Sequence, residues 1–171
     1  VAAVTLGTPI HLDPVAQSFL TNTTPKGTYL TGVGLFFKTK DLGINGADPL
    51  PILVQIRTME NGIPTNVGVP GAHKLIPASD VVTSTDATGE TKVTFDEPVF
   101  LNGNTEYSIV LLTLSDQYEV YVSTLGEFEL GSTTKRIQTQ PYLGSFFKSQ
   151  NSLTWTPDQL SDMTFKLYRA S

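Results

Sequence analysis

The stretch that decides the fold is NTEYSIVLLTLSDQYEVYVSTLGE, which runs from Asn104 to Glu127. It contains two runs rich in β-branched and aromatic residues, 107–114 and 118–123, separated by the polar triplet Ser-Asp-Gln. Two such runs joined by a short polar segment are typical of a β-hairpin. We therefore expect the two runs to form neighbouring, paired strands.

The first of these runs is apolar at both alternating sets of positions. Tyr107, Ile109 and Leu111 would lie on one face of a strand, and Val110, Leu112 and Leu114 on the other. A strand that is apolar on both faces is typical of the centre of a sheet. The second run alternates between apolar and polar residues, which predicts one face in the core and one in water.

The rest of the chain consists mainly of short alternating segments between Gly-, Pro- and Asn-rich turn signals. The clearest further strand candidates are residues 29–38, 52–58, 91–95 and 164–169. Eight or nine short strands without helical crossovers favour an all-β fold, an antiparallel β-sandwich that is jelly-roll-like in organisation. The sequence TPDQ at 156–159 has the features of a capping box, so one short helix is expected near residues 157–162.

The composition suits one soluble domain. A chain of 171 residues can bury a well-formed core, so residues 1–171 are expected to form a single β-sandwich. The chain begins VAAVTLGTPI, without an initiating Met or a positively charged segment, which is not typical of a signal peptide. We expect a domain taken from a longer polypeptide. No run approaches the roughly twenty apolar residues that span a bilayer, so membrane insertion is not expected.

Charge and cysteine content exclude several functions. The formal net charge is −5, which argues against binding to nucleic acid because that binding depends on clustered Lys and Arg. The adjacent basic pair at 135–136 is explained by a solvated loop. The chain has no cysteine, so disulfides and thiolate metal sites are excluded.

Motifs for catalysis are missing from the sequence. His11 and His73 lie far apart without metal-binding spacing, and there is no GxSxG, GxxxxGK[ST] or GxGxxG motif. Two carboxylates would suffice for a glycosidase, but the acidic residues lie mostly in turns, where turn chemistry explains them. We expect no catalytic residue, no cofactor and no metal centre. A structural calcium bound by loop carboxylates stays an open alternative, although no DxDxDG loop is present.

The single tryptophan is the strongest candidate for a ligand contact. Trp155 lies in SLTWTP, where its ring could stack on a sugar or on a partner's side chain. Tyr142 and Phe146 precede it and would contribute to the same surface. The alternative interpretation is a hydrophobic staple, in which Trp155 packs on Leu160 at the start of the predicted helix. In either case we expect function to lie in the loops at the strand ends.

Several segments resemble a β-sandwich module of virion structural proteins of tailed phages, the baseplate, wedge and tail-fibre-type proteins of contractile tails. The match covers nearly the whole chain in order. It is carried by DPVAQSF (13–19), YLTGVGLFFKTKD (29–41), VQIRTMENGIPT (54–65), VTFDEPVFLNGNTEYSIVLL (93–112), YEVYVSTLGE (118–127) and QPYLGSFFKSQNSLTWTPDQLSDMTFKLYRA (140–170). The chain departs from the expected pattern at GINGA (43–47) and in the segment 67–73, expected to be a long loop.

The resemblance implies a non-enzymatic structural module that makes protein–protein contacts with other virion structural proteins. It also implies a location in the virion, in the phage tail, after production in the host cytoplasm. The alternative function is a carbohydrate- or receptor-binding module of a phage tail protein, adhesin-like, with a cell-surface glycan as partner and Trp155, Tyr142 and Phe146 as contacts.

Overall fold

The computed structural model describes residues 2–6, 14–21, 26–124, 144–149 and 154–170. Within these ranges the chain forms twelve β-strands and one short 3-10 turn, Ala78–Asp80. The all-β class is confirmed, with more strands than the eight or nine expected. The strands are β1 (Ala2–Leu6), β2 (Val15–Leu20), β3 (Thr28–Thr39), β4 (Ile52–Glu60), β5 (Ile63–Ile76), β6 (Glu90–Leu101), β7 (Glu106–Leu112), β8 (Tyr118–Thr124), β9 (Phe146–Lys148), β10 (Thr156–Asp158), β11 (Ser161–Met163) and β12 (Phe165–Arg169).

The described strands form two antiparallel sheets that pack face to face as a β-sandwich. The first sheet has the order β10-β9-β2-β7-β4-β5. The second sheet has the order β1-β8-β3-β12, with β6 also pairing with β3 and β11 with β8. One continuous core of buried side chains from both sheets, including Ile109 of β7 and Phe37 of β3, lies between them. This arrangement follows from the alternation of apolar residues along the strands.

Strand β7 lies at the centre of the first sheet, as its apolar pattern predicted. It pairs with β2 on one side and with β4 on the other. Ile109, Val110 and Leu111 are all fully buried, although their side chains alternate between two faces. The inner face of β7 belongs to the core between the sheets. Its outer face belongs to a second, smaller group, the outer cluster, formed by Ala16, Val110, Phe147 and Trp155 with Met59 and Leu112 packed against it.

The predicted hairpin of β7 and β8 is wrong, because the two strands lie in different sheets. Their connection, residues 113–117, is too long for a tight two-residue turn and crosses from one sheet to the other. Side-chain hydroxyls shape it: Ser115 N donates to Thr113 Oγ1 at 3.1 Å, and Gln117 N donates to Ser115 Oγ at 3.1 Å. Each strand can therefore place its own apolar face in the core.

The predicted helix near residues 157–162 is also wrong. Strands β10 and β11 occupy this segment, joined by a turn in which Leu160 N donates to Asp158 Oδ1 at 3.1 Å. Short polar side chains that can cap a helix can equally stabilise a turn. Here β10 pairs with β9 and β11 pairs with β8. This strand pairing favours the turn over the helix. Pro157 fits because β10 is an edge strand of its sheet among the described residues.

Residues 67–73, expected as a loop, lie within β5. The ladder between β4 and β5 has register shifts between Gln55 and Arg57 and again between Arg57 and Met59. Such irregularities accommodate the Gly and Pro residues of this segment in an edge strand. In the described part of the chain, no helix is long and apolar enough to cross a membrane.

Candidate functional site

The structure places two of the three predicted ligand contacts in buried positions. Phe146 is fully buried in the core between the sheets. Trp155 is 8% exposed and belongs to the outer cluster, so the two rings do not share a surface. Tyr142 lies outside the described residues. Neither of the two described rings offers a free face on which a sugar could stack.

Trp155 is buried by a sheet face and not by a hydrophobic staple. Its ring covers Ala16, Val110 and Phe147 on the outer side of the first sheet. Leu160, the expected staple partner, is 59% exposed. The indole Nε1 of Trp155 is buried and has no hydrogen-bond partner among the described residues. The ring therefore contributes apolar packing, as the structural interpretation of this residue expected, but through different contacts.

An apolar pocket lies at one end of the first sheet, on its outer side. We call it the leucine pocket. It has a volume of about 340 Å³. Its lining consists of Leu50, Pro51, Leu53, Leu112, Thr113 and Leu114.

The leucines of the pocket are continuous with an exposed row across three strands. Leu53 of β4 is paired with Leu112 of β7 on one side and with Leu75 of β5 on the other. Leu75, Leu114 and Leu50 are all substantially exposed, Leu114 by 60%. Single exposed leucines are common on soluble proteins, but contiguous apolar patches mark binding surfaces. The pocket is therefore the candidate functional site.

Asp41 holds one wall of the pocket in place. Its Oδ1 accepts hydrogen bonds from Gly43 N at 2.8 Å and from Gln117 Nε2 at 3.1 Å. Its Oδ2 accepts from Leu50 N at 3.1 Å. The carboxylate thus joins the start and the end of the segment 41–50 to the connection between β7 and β8.

The charge of Asp41 is stabilised by these donors. Burial alone would raise the pKa of its carboxyl. Hydrogen bonds from Gly43, Ser115 and Leu50 favour the ionised form more strongly and hold the pKa below its ordinary value of 3.8. Asp41 is therefore a structural carboxylate whose two oxygens both accept hydrogen bonds from the surrounding segments.

Two hydroxyl groups fix the backbone carbonyls at the pocket floor. Tyr118 Oη donates to Leu50 O at 2.5 Å, and Thr113 Oγ1 donates to Pro51 O at 2.9 Å. Burial, followed by the negative charge of Asp41, raises the pKa of Tyr118 to about 12. The phenol consequently stays protonated and remains a donor at neutral pH. Because both backbone groups of Leu50 are held, the pocket is formed before any partner binds.

Two acidic residues, Asp48 and Asp116, lie close in sequence to the lining residues, and we call them the rim of the pocket. Asp48 and Asp116 are exposed and lie on the two segments that line it. Among the described residues, neither forms an ion pair. Two lysines of the neighbouring segments have other partners: Lys40 Nζ donates to Val81 O at 2.9 Å, and Lys74 Nζ lies 2.6 Å from Asp96 Oδ1. An incoming cation would therefore meet two free carboxylates.

A second buried carboxyl group lies away from the pocket, between the two sheets. Asp162 Oδ1 of β11 accepts a hydrogen bond from Gln17 Nε2 of β2 at 2.9 Å. Gln17 Oε1 in turn accepts from Met163 N at 2.7 Å. Asp162 Oδ2 is buried without a partner among the described residues. Burial raises the pKa of Asp162, the hydrogen bond from Gln17 opposes that rise, and the charge of Asp158 adds to it.

Chemically, the described residues offer an apolar binding surface. They contain no group of three or more His, Cys, Asp or Glu side chains that could hold a metal ion. His73 is exposed on β5, and His11 lies outside the described residues. Of the buried carboxyl groups, Asp41 accepts hydrogen bonds at both oxygens, and Asp162 lies between the two sheets.

Sequence reasoning missed the residues of the leucine pocket. A usable signal was present at Leu50, an apolar residue between two prolines in a turn-rich segment, where polar residues are the rule. Leu50 is exposed. No protein-family model, no curated protein and no solved structure matches the chain.

Proposed function

We propose that this chain is a non-enzymatic structural module that makes protein–protein contacts through the leucine pocket. The observation that carries the proposal is a preformed apolar pocket whose leucines remain exposed. An apolar side chain entering it would be removed from water together with Leu50 and Leu114. Such burial contributes roughly 25 cal/mol per Å² of apolar surface. Buried anchors of this kind dominate the binding energy of protein interfaces.

The resemblance of the sequence to modules of tailed-phage virion proteins supports a place in the phage tail or baseplate. The partners would be other virion structural proteins, and the module would reach the virion after production in the host cytoplasm. A rigid sandwich suits this role because the pocket is held by hydrogen bonds from Asp41, Tyr118 and Thr113. Little ordering entropy is then lost on assembly.

Complementation of the encoding phage tests this proposal. A phage that lacks the gene receives wild-type protein, Leu114→Asp or Leu160→Asp. The two leucines are matched controls because they are 60% and 59% exposed. We expect both variants to fold, and only Leu114→Asp to reduce the number of intact tails. Antibody labelling of wild-type particles away from the tail, or full assembly with Leu114→Asp, would refute the proposal.

The absence of catalysis is tested separately with polysaccharide substrates. Purified protein should release no reducing sugar from a panel of bacterial surface polysaccharides. Turnover that a single carboxylate substitution abolishes would assign an enzyme instead. Asp41→Asn and Asp162→Asn are the substitutions to use first.

A second candidate function, carbohydrate binding, is favoured by one observation on the second sheet. Tyr29 of β3 and Phe100 of β6 are register partners, and their rings lie 5.3 Å apart. They are 54% and 48% exposed, so ring surface is available for stacking on a sugar. A glycan array decides between the functions. A signal lost in Tyr29→Ala but kept in Leu114→Asp would favour carbohydrate binding.

A further inference from the structure

Resting on the proposed function, we propose that the leucine pocket receives a protein segment that presents an aliphatic side chain flanked by lysine or arginine. Two independent features of the pocket lead to this partner chemistry. They are the lack of free hydrogen-bonding groups in its lining and the unpaired carboxylates on its rim.

The lining selects an apolar group. Thr113 is the only residue of the lining with a polar side chain, and its hydroxyl already acts both as a donor and as an acceptor. It donates to Pro51 O at 2.9 Å and accepts from Ser115 N at 3.1 Å. A polar group inserted here would lose its water and find no free side-chain partner. An aliphatic side chain has no hydrogen bonds to water to lose, and it buries the surrounding leucines.

The rim selects positive charge. Asp48 lies two residues before Leu50, and Asp116 lies two residues after Leu114, so an exposed carboxylate lies close in sequence to each segment that lines the pocket. Neither carboxylate is ion-paired within the described part of the chain. Lys148 is exposed without an ion pair in that part, and it lies two strands away from Leu111 across the first sheet.

The same charges disfavour a second copy of the chain as the occupant. In a two-fold dimer the same patch faces itself. Asp48 and Asp116 of one copy would then approach those of the other, in a chain with a net charge of −5. Like charges brought together across an interface oppose association. A different chain with basic residues around its apolar anchor has no such penalty.

Binding of two designed peptides tests this inference. Both are acetylated and amidated; one has the sequence Lys-Leu-Lys-Leu-Lys and the other Glu-Leu-Glu-Leu-Glu. Titration of isotope-labelled protein is followed by the amide resonances of Leu50, Ile52, Leu53 and residues 112–114. We expect the basic peptide to shift these resonances, and the acidic peptide to bind at least about tenfold more weakly. Raising the salt concentration should reduce the difference, because exposed charges are screened.

Matched variants separate the two features. Leu114→Asp should abolish binding of the basic peptide, whereas Leu160→Asp should leave it unchanged. The double variant Asp48→Asn with Asp116→Asn should weaken binding by about fivefold, since each exposed ion pair contributes little. The double variant Glu97→Gln with Asp80→Asn, at two other exposed carboxylates, is the control for the same change of net charge.

Equal binding of both peptides, or no binding of either, would overturn the basic-partner inference. The proposed function would survive if Leu114→Asp still blocked tail assembly, so the two failures are distinguishable. A dimer seen by sedimentation and dissolved by Leu114→Asp would also overturn the inference and assign the pocket to self-association.

Discussion

Two buried carboxyl groups in this protein have opposite environments. Asp41, at the leucine pocket, accepts hydrogen bonds from two backbone N–H groups and from Gln117. Asp162, between the sheets, accepts one hydrogen bond from Gln17, and its second oxygen has no partner among the described residues. Both are almost fully buried. The pKa of Asp41 is nevertheless lowered, whereas that of Asp162 is raised.

The difference reflects the balance, at each carboxyl group, between the loss of hydration on burial and the hydrogen bonds that favour the charge. At Asp41 the hydrogen bonds outweigh the loss of hydration, and the charge fixes a loop around the pocket. At Asp162 the loss of hydration dominates. The charge of Asp41 therefore stabilises the fold near the pocket, whereas a charge on Asp162 does not stabilise the contact between the sheets.

The largest effect is expected where a new carboxyl group would have the fewest donors. Val110 is fully buried in the outer cluster, whose side chains offer at most the indole Nε1 of Trp155 as a donor. One such donor cannot replace those that serve Asp41. Val110→Asp should therefore cost more than about 4 kcal/mol and unfold the domain at room temperature. Circular dichroism and urea unfolding provide the measurement.

The control for this substitution is Val110→Ala, which removes volume without adding charge. It should cost about 1 to 3 kcal/mol and leave a cooperative transition. If Val110→Asp melted at the same temperature as the wild type, the outer face of β7 would not be buried as described.

The next largest effect is expected from removing an oxygen acceptor at Asp41. In Asp41→Asn, an amide NH₂ would face Leu50 N or Gly43 N, so donor would meet donor. We expect a loss of about 2 to 3 kcal/mol in the free energy of unfolding at pH 7. Because the folded pKa of Asp41 lies below 3.8, this contribution is present above that pH. It is lost as the pH falls through the folded pKa.

Urea unfolding of wild type and Asp41→Asn between pH 3 and pH 7 measures this dependence. Asp116→Asn is the matched control, because Asp116 is an exposed carboxylate on the same connection. It should change stability by less than about 0.5 kcal/mol. A difference between wild type and Asp41→Asn that stays constant down to pH 3 would show that the carboxylate is not held by its donors.

Local patterns predicted the burial of the strands but not their partners. The apolar character of both faces of β7 was enough to place it at the centre of a sheet. Its pattern carries no information on whether β8 joins the same sheet or the opposite one. That choice depends on contacts distant in sequence, such as Thr113 Oγ1 with Pro51 O, 62 residues away. The TPDQ segment likewise supports a helix start or a turn, and pairing with β9 decided it.

The candidate site was harder to predict for the same reason. The role of Asp41 depends on Gln117, 76 residues away, and that of Tyr118 on Leu50, 68 residues away. A lone Asp before a Gly-rich segment is correctly interpreted as a turn residue from sequence. Only the fold shows that its turn forms one wall of an apolar pocket. Trp155 shows the same limit, since its sequence allowed either a ligand contact or a staple on Leu160, and only the fold places the ring on the outer face of the first sheet.

The smallest effect is expected at Asp162, where the substitution should stabilise the protein instead of destabilising it. Asp162→Asn keeps an oxygen that can accept from Gln17 Nε2, and it removes the possibility of a buried negative charge. At pH 7 the variant should be more stable than the wild type by about 1 kcal/mol, because replacing a poorly satisfied buried charge by a neutral group is stabilising. Thermal and urea unfolding of both proteins measure the difference.

The pH dependence makes this prediction specific to the ionisation of Asp162. Its folded pKa is raised above the ordinary value of 3.8, so the folded state holds the proton more tightly than the unfolded chain. Wild-type stability contributed by this group is therefore greatest at low pH and decreases as the pH rises from 3.8 through the folded pKa. Asp162→Asn lacks this titration, and its advantage should vanish near pH 3, where the carboxyl is neutral. A variant that is equally stabilised at pH 3 and pH 7 would place the effect in packing, and Asp162 would then no longer differ from Asp41 through its charge.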